Sequence, residues 1–126
     1  GKDDGSLSRT SRKRYFCLVD GLIGMEGMGP MQGDAVESGV VIGGTDPVAV
    51  DTVAARLMGF DWRKIPVLRQ AWCHSSLPVT DLTPEEIIVH ADVSNWGGPF
   101  PEFERGSYFR YKPHFGWRGR IEWDGL

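Results

Sequence analysis

Cysteine is scarce in this chain of 126 residues, which contains only Cys17 and Cys73. Neither belongs to a Cys-x-x-Cys pair, and two thiols cannot supply the ligands of a four-cysteine zinc or iron–sulfur site. We therefore expect no iron–sulfur cluster in this chain. The absence of a disulfide framework favours a reducing compartment, so a cytoplasmic location is expected.

Long apolar runs and an excess of positive charge are also absent. No stretch approaches the roughly 20 apolar residues of a membrane-spanning helix. The formal net charge of −3 gives no general attraction to nucleic acids or anionic membranes. The short basic run 12–14 is typical of a solvated segment. We therefore expect a soluble protein with no nucleic-acid partner and no membrane span.

Glycine, in contrast, is abundant, with 17 residues in the chain. Two short apolar runs, 15–19 and 40–42, are typical of buried strands. The stretch between them contains Gly21, Gly24, Gly27, Gly29 and Gly33. Because glycine allows positive φ and close backbone approach, these residues predict a long loop that passes near a ligand. No Gly-Lys-Ser/Thr follows, and no helix opens directly after GMEGMG, which excludes a phosphate loop and a dinucleotide fingerprint.

Carboxylates stand among these glycines. Asp20, Glu26 and Asp34 lie in the predicted loop, and Asp20 follows a strand whose end is a common place for ligands. One interpretation is a flexible turn with solvated acids. The other is a site for a divalent cation, or for a polar substrate, in which Asp20, Glu26 and Asp51 provide oxygen ligands or acid–base groups. The candidate ligand-binding residues are Asp20, Glu26, Asp34, Asp51 and His114.

The clearest predicted element is a helix over about 46–58. Asp46 is a typical N-cap, and Pro47 fits the first helical position. Apolar residues then recur with helical spacing, and Gly59 fits the position just past the C-terminus. The sequence therefore predicts an amphipathic helix that packs one face on the core.

Asp51 interrupts this pattern. On a helical wheel it lies between Met58 and Ala55, beside the apolar stripe, whereas Thr52 and Arg56 form the polar face. We therefore predict a half-buried carboxylate that needs a partner. The partner is either a neighbouring loop, through a simple hydrogen bond, or the segment 20–34.

The remaining pattern completes the fold prediction. A second helical piece opens at Asp61 and ends near His74, a short β-rich run covers 87–90, and aromatic residues favour a strand over 107–112. Strands separated by helices predict a right-handed crossover and a parallel pair. We predict an α/β fold with a small, mainly parallel sheet, flanking helices and an irregular aromatic C-terminal tail. Its parts are a flexible N-terminal segment 1–13, an α/β core 14–91 and an extension 92–126.

The C-terminal tail combines aromatic and basic side chains. Its aromatic positions and Ile121 pack over a core edge or form a partner surface. The residues concerned are Phe115, Trp117, Ile121 and Trp123. Near them lies a basic group made of Lys112, His114, Arg118 and Arg120. This group either meets an anionic ligand held over the acidic loop or forms a solvated rim.

Four blocks of the sequence resemble a known family. The blocks are DGLIGMEGMGP, GGTDPVAVDTVAARLMGFD, KIPVL and the tail KPHFGWRGRIE. Over roughly Tyr15–Ala91 the chain is similar to the domain of unknown function 362 family. The resemblance implies an α/β domain and, in some members, an attached iron–sulfur ferredoxin module. It implies no established reaction.

Two functional hypotheses follow. The first is an enzyme, or part of one, that holds a divalent cation or polar substrate at the Gly-rich acidic loop. The second is a non-catalytic module that docks on a ferredoxin-like redox partner through the aromatic tail. Metal-dependent stabilisation favours the first, and a stable complex with an iron–sulfur protein favours the second.

Overall fold

The computed structural model describes residues 2, 4–7, 13–73 and 76–125. Most of the predicted N-terminal segment and the predicted helix end near His74 lie outside these residues. The helices and strands are β1 (Cys17–Met28), β2 (Gln32–Gly44), α1 (Pro47–Leu57), α2 (Pro66–Ala71), β3 (Ile88–Val89), β4 (Gly98–Pro99) and α3 (Phe100–Phe103). Single 3-10 turns cover Trp62–Lys64 and Pro84–Glu86.

A long antiparallel hairpin replaces the predicted loop. β1 and β2 pair from Cys17 opposite Gly44 to Met28 opposite Gln32. The connection is residues 29–31, with a cis peptide between Gly29 and Pro30. So short a connection joins antiparallel strands, because a parallel pair needs a crossover of about a dozen residues. The predicted Gly-rich loop is therefore paired strand.

The prediction of a mainly parallel sheet is wrong. The described residues form two sheets of two strands each, β1–β2 and β3–β4, and both are antiparallel. β2 and β3 belong to different sheets, so the helices between them do not form a crossover within one sheet. The predicted strand over 107–112 is an irregular segment, because its backbone bonds individual groups of β1 and of the end of α1 rather than one strand.

The predicted central helix is confirmed. The Asp46 side chain accepts a hydrogen bond from Ala49 N at 2.9 Å, and Pro47 is the first helical residue. After the helix, Gly59 has a φ of +89°, and a Cβ there would lie 2.6 Å from the Phe109 carbonyl oxygen. Glycine is therefore required at Gly59 both by backbone conformation and by space.

The polar face predicted for α1 is buried. Thr52 is fully buried and Arg56 is only 4% exposed. The Thr52 hydroxyl donates to Val48 O at 2.7 Å and faces Trp72 Nε1 at 3.0 Å, so its polar atom is satisfied inside the protein. Asp51 is exposed, unlike the half-buried position that the helical wheel predicted.

The core has two adjoining clusters. The larger joins α1, α2, α3 and the segment before β3, around Leu57, Trp62 and Phe100. The smaller joins Phe60, Tyr111 and Ile121 beneath the tip of the hairpin. Because Tyr111 and Ile121 belong to this cluster, the C-terminal part of the chain completes the core rather than trailing from it.

None of the helices in the described part of the chain is long and apolar enough to cross a membrane.

Candidate functional site

A cavity of about 350 Å³ lies between the tip of the β1–β2 hairpin and the C-terminal segment. We call it the tip cavity. Its apolar wall includes Met25, Met58, Phe60 and Ile121. Its polar lining includes Glu26, Lys112 and His114. An apolar cavity with a few convergent polar groups is typical of small-molecule sites.

Backbone contacts hold the two sides of the tip cavity together. Gly27 N donates to Lys112 O at 2.8 Å, and Tyr111 N donates to Met58 O at 2.9 Å. Tyr111 lies directly on β1, because a Cβ at Gly24 would overlap its hydroxyl oxygen. Glycine in this strand therefore allows the C-terminal segment to pack against the backbone.

The Glu26 carboxylate is bonded to Lys112 twice. One oxygen accepts from the Lys112 backbone N–H at 2.8 Å, and the other lies 2.8 Å from Lys112 Nζ. The Glu26 side chain is 10% exposed, whereas that of Lys112 is 66% exposed. Hydrogen bonds from Lys112 lower the pKa of Glu26, and the same side-chain bond is the main reason that the pKa of Lys112 is raised. A cation at Glu26 would therefore compete with Lys112.

His114 stands at the exposed side of the tip cavity. Its ring centroid lies 4.2 Å from that of Phe115. Its Nδ1 accepts a hydrogen bond from Gly116 N at 3.3 Å, so Nε2 is the nitrogen that can donate to a ligand. Arg118 lies close enough to Lys112 to oppose the rise of its pKa. Part of the predicted basic group therefore gathers beside this cavity.

The five candidate residues are brought together only in part. Glu26 and His114 line the tip cavity, and Asp34 lies opposite Glu26 in the strand register. Asp20 is exposed on β1 and accepts a hydrogen bond from Leu22 N at 3.1 Å. The Asp51 side chain makes no hydrogen bond or ion pair with another described residue, so the structure does not show the predicted contact with 20–34.

No metal-binding group is formed within residues 2, 4–7, 13–73 and 76–125. None of the sets of three or more His, Cys, Asp or Glu side chains there is placed to hold an ion. Asp20, Glu26 and Asp51 belong to β1, the hairpin tip and α1 respectively. The cation site at these residues therefore stays a prediction.

The sequence analysis missed a buried cation. Arg56 donates from Nε to Glu104 O at 2.7 Å and from Nη2 to Gly106 O at 2.6 Å. Its guanidinium also lies over the rings of Tyr108 and Trp123, 5.2 and 4.6 Å from their centroids. Burial lowers the pKa of Arg56. These partners lie far along the chain, so no local pattern indicated them, and the arrangement holds the C-terminal segment on α1.

Comparison with protein families matches residues 7–56 to the domain of unknown function 362. No curated protein and no solved structure matches the chain. The match includes the whole β1–β2 hairpin and most of α1, and it is shorter than the span 15–91 over which the sequence blocks suggested the resemblance. The resemblance of this chain to the domain of unknown function 362 family is therefore confirmed over residues 7–56.

Proposed function

We propose that the tip cavity binds a small organic anion, a molecule with an apolar body and one carboxylate or phosphate group. One observation carries the proposal. Two sequence blocks that are distant in the chain, DGLIGMEGMGP and KPHFGWRGRIE, meet at this cavity, and the first lies within the family match over residues 7–56. The first block contributes Glu26 and the turn 29–30, and the second contributes Lys112 and His114.

The chemistry of the lining supports an anionic ligand. Lys112 has three N–H donors, and its contact with Glu26 leaves donors available to a ligand. His114 adds the Nε2 position, and Arg118 adds positive charge nearby. The apolar wall fits the body of the ligand, while charge-assisted hydrogen bonds at the rim fix its head group. Glu26 is then a positioning residue that orients Lys112.

The same contacts favour an anion over a divalent cation. A cation needs several free oxygen ligands. At the tip cavity the Glu26 carboxylate already accepts from Lys112, and Asp20 is bonded to the backbone of β1. In this proposal Glu26 of the hairpin pairs with Lys112, and the basic residues of the C-terminal segment bind the ligand.

The experiment is an NMR titration that follows the backbone amide signals of Gly27 and Lys112. The probe is phenyl phosphate, with inorganic phosphate and phenol as its two halves. We expect phenyl phosphate to shift both signals at lower concentration than either half does. Lys112→Met and His114→Ala should each weaken binding at least about tenfold, the loss of one charge-assisted contact. Arg69→Met, at an exposed position of α2 away from the tip cavity, is the control and should not change binding. Unshifted signals, or equal weakening by all three variants, would contradict the proposal.

The exposure of two tail aromatics favours a second candidate function, docking on a ferredoxin-like redox partner. Phe115 and Trp117 are 65% and 45% exposed. Ile121 is buried in the core and therefore cannot form part of the predicted contact surface. Sedimentation with a purified ferredoxin tests this candidate. A complex that Phe115→Ser and Trp117→Ser both weaken supports it, and the absence of a complex rejects it for that ferredoxin.

A further inference from the structure

A second cavity, of about 540 Å³, lies between the C-terminal end of α1 and two stretches of the C-terminal segment. We call it the Arg56 cavity. Its volume is typical of small-molecule sites, and three of its lining side chains are aromatic, those of Tyr108, Phe109 and Trp123. Among the described residues it shares only Tyr111 with the tip cavity, so the two cavities are distinct.

Arg56 is a buried cation without a counter-ion. None of the ion pairs among the described residues includes it. Its hydrogen-bond partners are the neutral backbone carbonyl groups of Glu104 and Gly106. The carboxylate of Glu104 is bonded instead to Arg63 and to the indole N–H of Trp62. Because buried charges in proteins are normally paired with an opposite charge, this guanidinium lacks the partner that its burial calls for.

The guanidinium of Arg56 also keeps donors free on the side of the cavity. Nε and Nη2 bond the two carbonyl groups, whereas Nη1, with its two N–H groups, has no partner among the described residues. In that part of the chain, no side-chain nitrogen of a buried residue is both closed off from solvent and unbonded. Nη1 therefore reaches solvent, and it does so in the cavity that Arg56 lines. Since Nε and Nη2 are anchored, Nη1 is held in place before a ligand arrives.

The charges around the Arg56 cavity favour a ligand with a single negative charge. Arg110 is exposed at the rim and makes no ion pair with a described residue. Glu122 and Asp124 also line the cavity, so the formal charges of its described lining residues, two positive and two negative, sum to zero. A single ligand charge fits on Arg56, whereas a doubly charged phosphate would also be repelled by the two acids.

From these observations we infer that the Arg56 cavity binds a small aromatic carboxylate. The carboxylate accepts hydrogen bonds from Arg56 Nη1 and provides the missing counter-ion, and such charge-assisted bonds are about twice as strong as neutral ones. The ring of the ligand packs on Phe109 and Trp123 in the wall. Arg110 attracts the carboxylate from the rim. This site does not depend on the function proposed for the tip cavity.

The test is an NMR titration with phenylacetate that follows the Nε–H signal of Arg56 and the indole N–H signal of Trp123. Phenylacetamide has the same shape without the charge, acetate is the head group alone, and phenyl phosphate is a dianion. Phenylacetate should shift both signals at a concentration at least about tenfold lower than any of these three, because only it combines one charge with the ring. An equal response to phenylacetamide or to phenyl phosphate would contradict the inference. Shifts confined to the amides of Gly27 and Lys112 would place the ligand in the tip cavity and overturn it.

Two variants test the part of Arg56, with binding followed through the Trp123 signal. Arg56→Lys keeps the charge but loses the planar fork, and it should weaken phenylacetate binding at least about tenfold. Circular dichroism checks that this variant is folded. Ser107→Trp places a bulky side chain at an exposed lining position and leaves the contacts of Arg56 intact. It should weaken binding by a similar factor, and unchanged binding in Ser107→Trp would show that the ligand lies elsewhere.

A matched pair of variants tests the charge at the rim. Arg110→Met should weaken phenylacetate binding about threefold, the effect of one exposed charge. Arg105→Met is the control, because Arg105 is also exposed on the C-terminal side of the chain but does not line the cavity. It should bind phenylacetate as the unchanged protein does. Equal weakening by both variants would show a general effect of net charge and would contradict the part of Arg110 in the site.

Discussion

At the scale of single residues, burial separates the charged groups that hold this protein together from those that face water. Arg56 lies inside and donates to the carbonyl oxygens of Glu104 and Gly106. Asp51, five residues earlier on the same helix, is exposed. The helical wheel predicted an exposed Arg56 and a half-buried Asp51, because it assumes that a helix buries one face only. α1 is instead covered on two sides, by α2 and by the C-terminal segment.

Replacing Arg56 by Met should destabilise the protein by about 2–4 kcal/mol, because the buried carbonyl of Glu104 and the partly buried carbonyl of Gly106 lose their donors. Urea unfolding of the variant and the unchanged protein measures the difference in the free energy of unfolding. Arg69→Met, at an exposed position of α2, is the control and should stay within about 0.5 kcal/mol. A cost for Arg56→Met no larger than that of the control would show that the guanidinium contacts contribute little.

The Glu26–Lys112 pair should make stability depend on pH. Because the pKa of Glu26 is lowered in the folded protein, this group adds to the free energy of unfolding above its unfolded pKa of about 4.3. That stabilisation is lost as the pH falls through its folded pKa. Because the pKa of Lys112 is raised in the folded protein, this group adds to the free energy of unfolding below its unfolded pKa of about 10.4. That stabilisation is lost as the pH rises through its folded pKa. Glu26→Gln should therefore melt below the unchanged protein at pH 7, and the gap should narrow as the pH falls further below about 4.3. A constant gap would contradict this assignment.

At the scale of elements, the hairpin depends on glycines that make room for other parts of the chain. Gly24 lies against Tyr111 and Gly44 against Val50, with no space for a Cβ at either position. Glycine is depleted in strands, so local propensity predicted a loop here. The capped starts at Asp46 and Asp61 were predictable, because each capping bond reaches only two or three residues along the chain. The packing of Tyr111 on β1 was not, because its partners are distant in sequence.

Gly24→Ala should force Tyr111 away from β1 and cost about 1–3 kcal/mol, the range for overpacking a core. Tyr111→Phe removes the hydroxyl that the new methyl group would meet and also the bond to Ser38. The cost of Gly24→Ala should therefore be smaller in the Tyr111→Phe background, with a coupling above about 0.5 kcal/mol. Additive costs in this double-mutant cycle would show that the strand and the tyrosine do not compete for space.

At the scale of the whole molecule, the described residues form two antiparallel sheets and three helices around two adjoining core clusters, and α1 lines a cavity between the sheets. The sequence indicated the helix and the short strand near 87–90, because these depend on local pattern. It did not indicate how β1 and β2 pair, since a Gly-rich acidic stretch has no β signal of its own. It grouped the acids by position in the chain, whereas the fold keeps Asp34 opposite Glu26 and places Asp20 further along β1 and Asp51 on α1.

This placement of the acids leads to the last prediction, on metal dependence. Asp20 lies on β1, Glu26 is bonded to Lys112 at the tip cavity, and Asp51 is on the exposed side of α1. A hard cation binds tightly only where several oxygen ligands converge. We therefore expect Mg²⁺ or Mn²⁺ to raise the melting temperature by no more than about 1 °C, since a ligand stabilises only in proportion to its occupancy of the folded state. Scanning calorimetry with each ion, and with a chelator as reference, measures the shift. A larger rise that Asp51→Asn abolishes, in a variant that still folds, would restore the cation site predicted from the sequence.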